Sequence, residues 1–105
     1  MYTKEQIQEN ITTNIKWMVR TIEILFDRQT LDEQETKTTG HNNGMGFTGA
    51  DAYILTSFYE QIQKRRDRKI TPLLSEKQIQ MCQKKLPKYW RQVKEEIEAK
   101  SRVTA

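Results

Sequence analysis

Ser75-Glu76-Lys77-Gln78-Ile79-Gln80-Met81-Cys82-Gln83-Lys84-Lys85-Leu86-Pro87-Lys88-Tyr89-Trp90-Arg91-Gln92-Val93-Lys94-Glu95-Glu96-Ile97 decides the fold. Its apolar residues Ile79, Cys82, Leu86, Tyr89, Val93 and Ile97 follow one another at steps of three, four, three, four and four. On a helical wheel they stay within about 80° of one another, and the phase survives Pro87. A chain that stopped and restarted in another direction would not need a single phase. The pattern therefore predicts a helical stretch capped by Ser75 and either kinked or tightly broken at Leu86–Pro87. An interior proline removes a hydrogen bond and clashes one turn back. Lys77, Lys84, Lys88 and Arg91 fall on the side of the wheel opposite the apolar stripe, with Lys85 and Lys94 on the flanks.

Upstream, the same periodicity recurs. Ile7, Ile11, Ile15, Met18, Ile22 and Leu25 lie within an equally narrow stripe, and Thr3 with Gln6 forms a capping box at its start. Asn10, Thr12, Thr13 and Asn14 are weak helix formers, so a break is expected there, with firm helix from Asn14 to Arg28. Thr30-Leu31-Asp32-Glu33 reads as the start of a second, short helix. All four glycines lie between Gly40 and Gly49, marking a Gly/Asn-rich loop. Thr48 with Asp51 reads as a further capping box, opening a helix from about Gly49 to Arg65 with Ile54 or Leu55, Phe58 and Ile62 on its buried edge. The run Lys64-Arg65-Arg66-Asp67-Arg68-Lys69 ends that helix, and Pro72 disfavours helix just before it. The expected architecture is a compact all-α bundle of four to five helices in a single domain over residues 1–105. Residues 1–13 form an N-terminal helical extension, 14–93 a module, and 94–105 a helix end and tail.

With 105 residues and 35% hydrophobic residues, the chain has a modest core, which raises the expectation of a partner. Its charge is divided. Residues 1–59 carry Lys4, Lys16, Arg20, Arg28 and Lys37 against eight acids, whereas residues 60–105 carry thirteen cations against six. Between Lys64 and Lys94 there are eleven cations and only two acids, Asp67 and Glu76. Such a segment suits a polyanion. Arg65, Arg66, Arg68 and Lys69 form one expected patch, and Lys77, Lys84, Lys85, Lys88 and Arg91 a second. Tyr89 and Trp90 are interleaved with the second, where aromatic rings stack on bases, although their wheel position also suits core packing.

Signatures of independent catalysis are few. His41 is the one histidine and Cys82 the one cysteine, which excludes an internal disulfide and leaves no ordinary zinc site. Cys82 lies on the apolar stripe, as a small buried hydrophobe does. Gly44-Met45-Gly46 lacks the lysine of a phosphate loop. Asp32, Glu33 and Glu35 are acids of a helix start. No enzyme activity, cofactor or metal is expected. A polar N-terminus and the lack of a long apolar run point to a cytoplasmic protein with no membrane partner.

Five blocks in order, namely Lys16-Trp17, Gln29-Thr30-x-Asp32-Glu33-Gln34, Asn43-Gly44-Met45-Gly46-Phe47 with Asp51, Leu74-Ser75-x-Lys77-Gln78, and Lys84-Lys85-Leu86-x-Lys88-Tyr89-x-x-Gln92, resemble a small helical module of phage and mobile-element DNA-processing proteins. The resemblance extends to the small proteins encoded beside an A-family DNA polymerase and a helicase in staphylococcal cassette replication operons. It implies a DNA-binding accessory subunit that binds the polymerase and helps it start strands, on single-stranded or primer–template DNA. It also implies a functional surface made of Asn43, Gly44, Gly46 and Phe47 together with Lys77, Gln78, Lys85, Lys88, Tyr89 and Gln92. The alternative is a protein-interaction adaptor or inhibitor whose basic face meets an acidic protein surface without nucleic acid.

Overall fold

The computed structural model describes residues 2–28 and 46–104. Among them there are five α-helices and one 3-10 turn, with no strand: α1 Lys4–Thr13, α2 Ile15–Arg28, α3 Gly49–Asp67, α4 Glu76–Lys85, the 3-10 turn Pro87–Tyr89, and α5 Trp90–Thr104. The all-α bundle expected from periodicity is the fold. The short helix expected from Thr30, the loop residues Gly40 to Gly44, His41, and the acids Asp32, Glu33 and Glu35 lie outside the described residues.

Local chemistry sets the helix ends. The Thr3 hydroxyl accepts the Gln6 N–H while the Gln6 side chain accepts the Thr3 N–H, and Ser75 and Gln78 repeat the same reciprocal pair at α4. The break among the weak helix formers falls at Asn14, whose backbone is extended (φ −122°, ψ 115°). Its side-chain oxygen accepts the Lys16 N–H at 2.9 Å, so the residue that stops α1 also caps α2. α3 ends in a Schellman motif, with the Lys69 N–H donating to the Arg66 carbonyl and the Ile70 N–H to the Arg65 carbonyl. Lys69 sits at φ 56°, a left-handed position that glycine fills more easily.

One continuous core forms. Ile7 and Ile11 of α1, Met18, Ile22 and Leu25 of α2, and Leu55, Phe58 and Ile62 of α3 are buried together with Leu74, Cys82, Leu86, Tyr89 and Val93. Ile54 is only partly buried, so Leu55 is the inward residue of that pair. α1 packs against α2, α4, the Pro87 turn and α5, and α2 packs against each of the other α-helices among the described residues. Across the proline, Leu86 keeps helical angles (φ −78°, ψ −30°) and Trp90 does as well (φ −53°, ψ −34°). A single tight turn thus replaces one turn of α-helix, and the apolar phase carries through. No helix among the described residues is long and apolar enough to cross a membrane.

Candidate nucleic-acid interface

The Thr48–Asp51 pair does not form the capping box its spacing suggests. Thr48 occupies the N-cap position but makes no side-chain capping bond. Asp51, in the first turn of α3 and 2% exposed, turns instead toward the Pro87 turn. One carboxylate oxygen accepts from Lys85 Nζ at 3.1 Å; the other accepts from Lys88 Nζ at 2.6 Å and from the Tyr89 hydroxyl at 2.7 Å. Burial alone would raise the Asp51 pKa, but the hydrogen bonds from Lys88, Tyr89 and Lys85 outweigh it and hold the group at about 2. The Tyr89 oxygen in turn accepts the Thr48 N–H at 3.1 Å, and burial pushes the phenol up to about 12.

These contacts change the meaning of four expected site residues. Tyr89 is buried with its hydroxyl engaged, so its ring is an anchor and cannot stack on a base. Lys85 and Lys88 neutralise a buried carboxylate, and only the half-exposed Lys88 retains substantial contact with solvent. Gln92 embraces the backbone of Gly46, accepting its N–H at 2.8 Å and donating to its carbonyl at 3.0 Å. Gly46 has φ 77°, which is why glycine stands there. Phe47, expected on a functional loop surface, is 2% exposed and belongs to the core. Asn43 and Gly44 lie outside the described residues. Gln78 closes its own capping box and also pairs with Gln61, whose amide donates to the Leu73 carbonyl. Residues 46–51 and 84–92 thus hold one another in place, while Gln78 is tied to Gln61 of α3.

The remaining cations stand differently. Lys77, Lys84 and Arg91 are exposed, and none meets a carboxylate among the described residues. The Arg91 guanidinium lies 5.5 Å from the centre of the half-buried Trp90 ring, and Lys4 Nζ lies 5.4 Å from it. At the end of α3, Arg66 pairs with Glu23 of α2 and so belongs to the fold as much as to the surface. Arg65 donates to the Pro72 carbonyl at 2.8 Å, while Arg68 and Lys69 project from the helix end. Lys64, Arg65 and Arg68 border a groove of about 460 Å³ with Gln61 at its side. Gln61, linked to Leu73 and Gln78, connects this end of α3 to the start of α4, bringing the two expected basic patches to adjoining elements.

Asp51 is a structural anchor whose long-range partners its local sequence does not announce. Phe47 had a legible signal: it precedes the N-cap Thr48 and stands five residues before Ala52, the positions of a hydrophobic staple, and both are buried in the core. Cys82 is fully buried, and burial raises its thiol to about 12. Compared with protein-family models, curated proteins and solved structures, the chain matches none.

Proposed function

We propose that the chain is a DNA-binding accessory module that grips the phosphate backbone with exposed cations that meet no carboxylate among the described residues. One observation carries this reading. Of the eleven cations from Lys64 to Lys94, only Arg66, Lys85 and Lys88 meet a carboxylate among the described residues. Lys77, Lys84 and Arg91 on the outer side of α4 and α5, with Arg68 and Lys69 at the end of α3, are exposed and supply the grip. Lys69 adds independent support. An exposed cation occupies a left-handed backbone position that costs a non-glycine residue about 1–2 kcal/mol.

Such contacts give affinity without base reading, and each one releases counterions. The likeness to mobile-element DNA-processing modules points the same way. It adds single-stranded or primer–template DNA as the substrate and an A-family polymerase as the protein assisted in starting synthesis. The chain itself would then act by holding, not by chemistry. Anisotropy titration of a fluorescent single strand and the matching duplex at low and moderate salt tests the reading. Binding to at least one that weakens more than about ten-fold for a four-fold rise in salt supports it. An absence of binding to both at low salt refutes it.

A further inference from the structure

We infer that the groove between α2 and α5 docks an acidic amphipathic helix presented by a partner protein. The groove measures about 420 Å³, and its floor is apolar, formed by the half-buried Trp17 and Ile97 and by the buried Ile24 and Val93. The Tyr2 ring meets Trp17 edge-on at 5.3 Å and lines the same groove. From Lys16 to Ile24, α2 advances about 12 Å along this floor, the length of roughly two turns of a docked helix. Apolar side chains at i, i+3 or i+4, and i+7 of such a helix would fill it.

Charge selects the partner. The first half of the chain is acidic, yet two of its five cations, Lys16 and Arg20, stand one turn apart on the groove wall, both exposed. Neither has a carboxylate partner among the described residues. Lys100 lines the groove from α5. Glu96, which also lines the groove, meets Arg28 at 3.5 Å, so the cationic rim is Lys16 and Arg20. A partner helix with carboxylates flanking its apolar side chains would answer this rim. Trp17, Tyr2 and Arg20 are also the residue types that dominate interface energetics.

A phosphodiester strand fits the groove poorly. The Thr21 hydroxyl on its floor is taken up by the Trp17 carbonyl at 2.7 Å, leaving little to solvate phosphate oxygens there. The docking site shares no residue with the cations proposed to hold DNA, so it stands or falls separately from that reading.

The test uses the full ¹⁵N-labelled chain and three synthetic peptides of about 16 residues: an amphipathic helix with leucines at helical spacing and glutamates beside them, the same with lysines for glutamates, and the first with serines for leucines. The acidic leucine peptide is expected to shift the Trp17 indole resonance and to bind at least about ten-fold tighter than either control. Lys16 and Arg20 are exposed, so the double variant Lys16→Glu/Arg20→Glu keeps its fold and should reverse the preference toward the lysine peptide. Equal binding of all three peptides, an unchanged preference in the double variant, or displacement of the Trp17 signal by an oligonucleotide and not by a peptide would each overturn the proposal.

Discussion

The Tyr89 hydroxyl donates to Asp51 Oδ2 at 2.7 Å across 38 residues of chain, joining the first turn of α3 to the turn that follows Pro87. With Lys85 and Lys88 on the same carboxylate, this contact ties the proline break to the rest of the bundle. It also separates Lys85 and Lys88, which hold the fold, from the exposed Lys77 and Lys84.

Acid should undo the Asp51 contact. The carboxyl titrates at about 2 in the folded chain against an ordinary 3.8. The stabilisation is therefore complete above the unfolded value and is lost as pH falls from about 4 toward 2. A shift of this size corresponds to about 2 kcal/mol. Urea unfolding at stepped pH should show that loss in the native chain and a shallower dependence in Asp51→Asn. Equal pH slopes for the two would contradict it.

Removal of single partners should register as stability. Tyr89→Phe leaves the Thr48 N–H without its acceptor and removes one donor to Asp51, and Gln92→Ala strips both hydrogen bonds from the Gly46 backbone. Each should cost about 1–2 kcal/mol in chemical denaturation. Losses below a few tenths would mean that water replaces these contacts freely.

Cys82 should behave as a core side chain. It is fully buried, with its thiol raised to about 12. At pH 8 a thiol-specific disulfide reagent should label it only as fast as the chain unfolds, and at once in denaturant. Rapid native labelling would place it at the surface.

Periodicity and capping chemistry made most of the fold legible. The Thr3–Gln6 box and the Ser75 cap formed as read, because the partners lie within one turn and need nothing else; the return bond from Gln78 at Ser75 is an addition of the structure. Of the six-residue apolar phase across Pro87, Cys82, Leu86, Tyr89 and Val93 are in the core, with Ile79 and Ile97 half-buried against it. The Thr48–Asp51 spacing misled because an acid in a first turn serves a capping box and a long-range ion pair equally well. Nothing local reveals that Lys85 and Lys88 will arrive beside it. For the same reason Lys85, Lys88 and Gln92 read as surface chemistry, and Tyr89 as both a stacking ring and a core residue, although they are what α3 and the Gly46 turn are fastened to.

Lys69 should show a trade between stability and binding. At φ 56° a glycine avoids the left-handed penalty, so Lys69→Gly should leave stability unchanged or raised by up to about 1 kcal/mol. On the proposed function the same change weakens DNA binding at low salt and reduces the salt slope by about one contact. Unchanged affinity would remove Lys69 from the surface that holds DNA.

The most direct measurement compares DNA affinity of the native chain with that of Lys77→Glu/Lys84→Glu/Arg91→Glu, three exposed changes that leave the Asp51 contacts untouched. Helical signal and unfolding midpoint, measured alongside, should stay close to native. The expected result is loss of detectable binding to single strand and duplex alike. Affinity and salt dependence equal to those of the native chain would contradict the central proposal that the exposed Lys77, Lys84 and Arg91 are where this protein meets DNA.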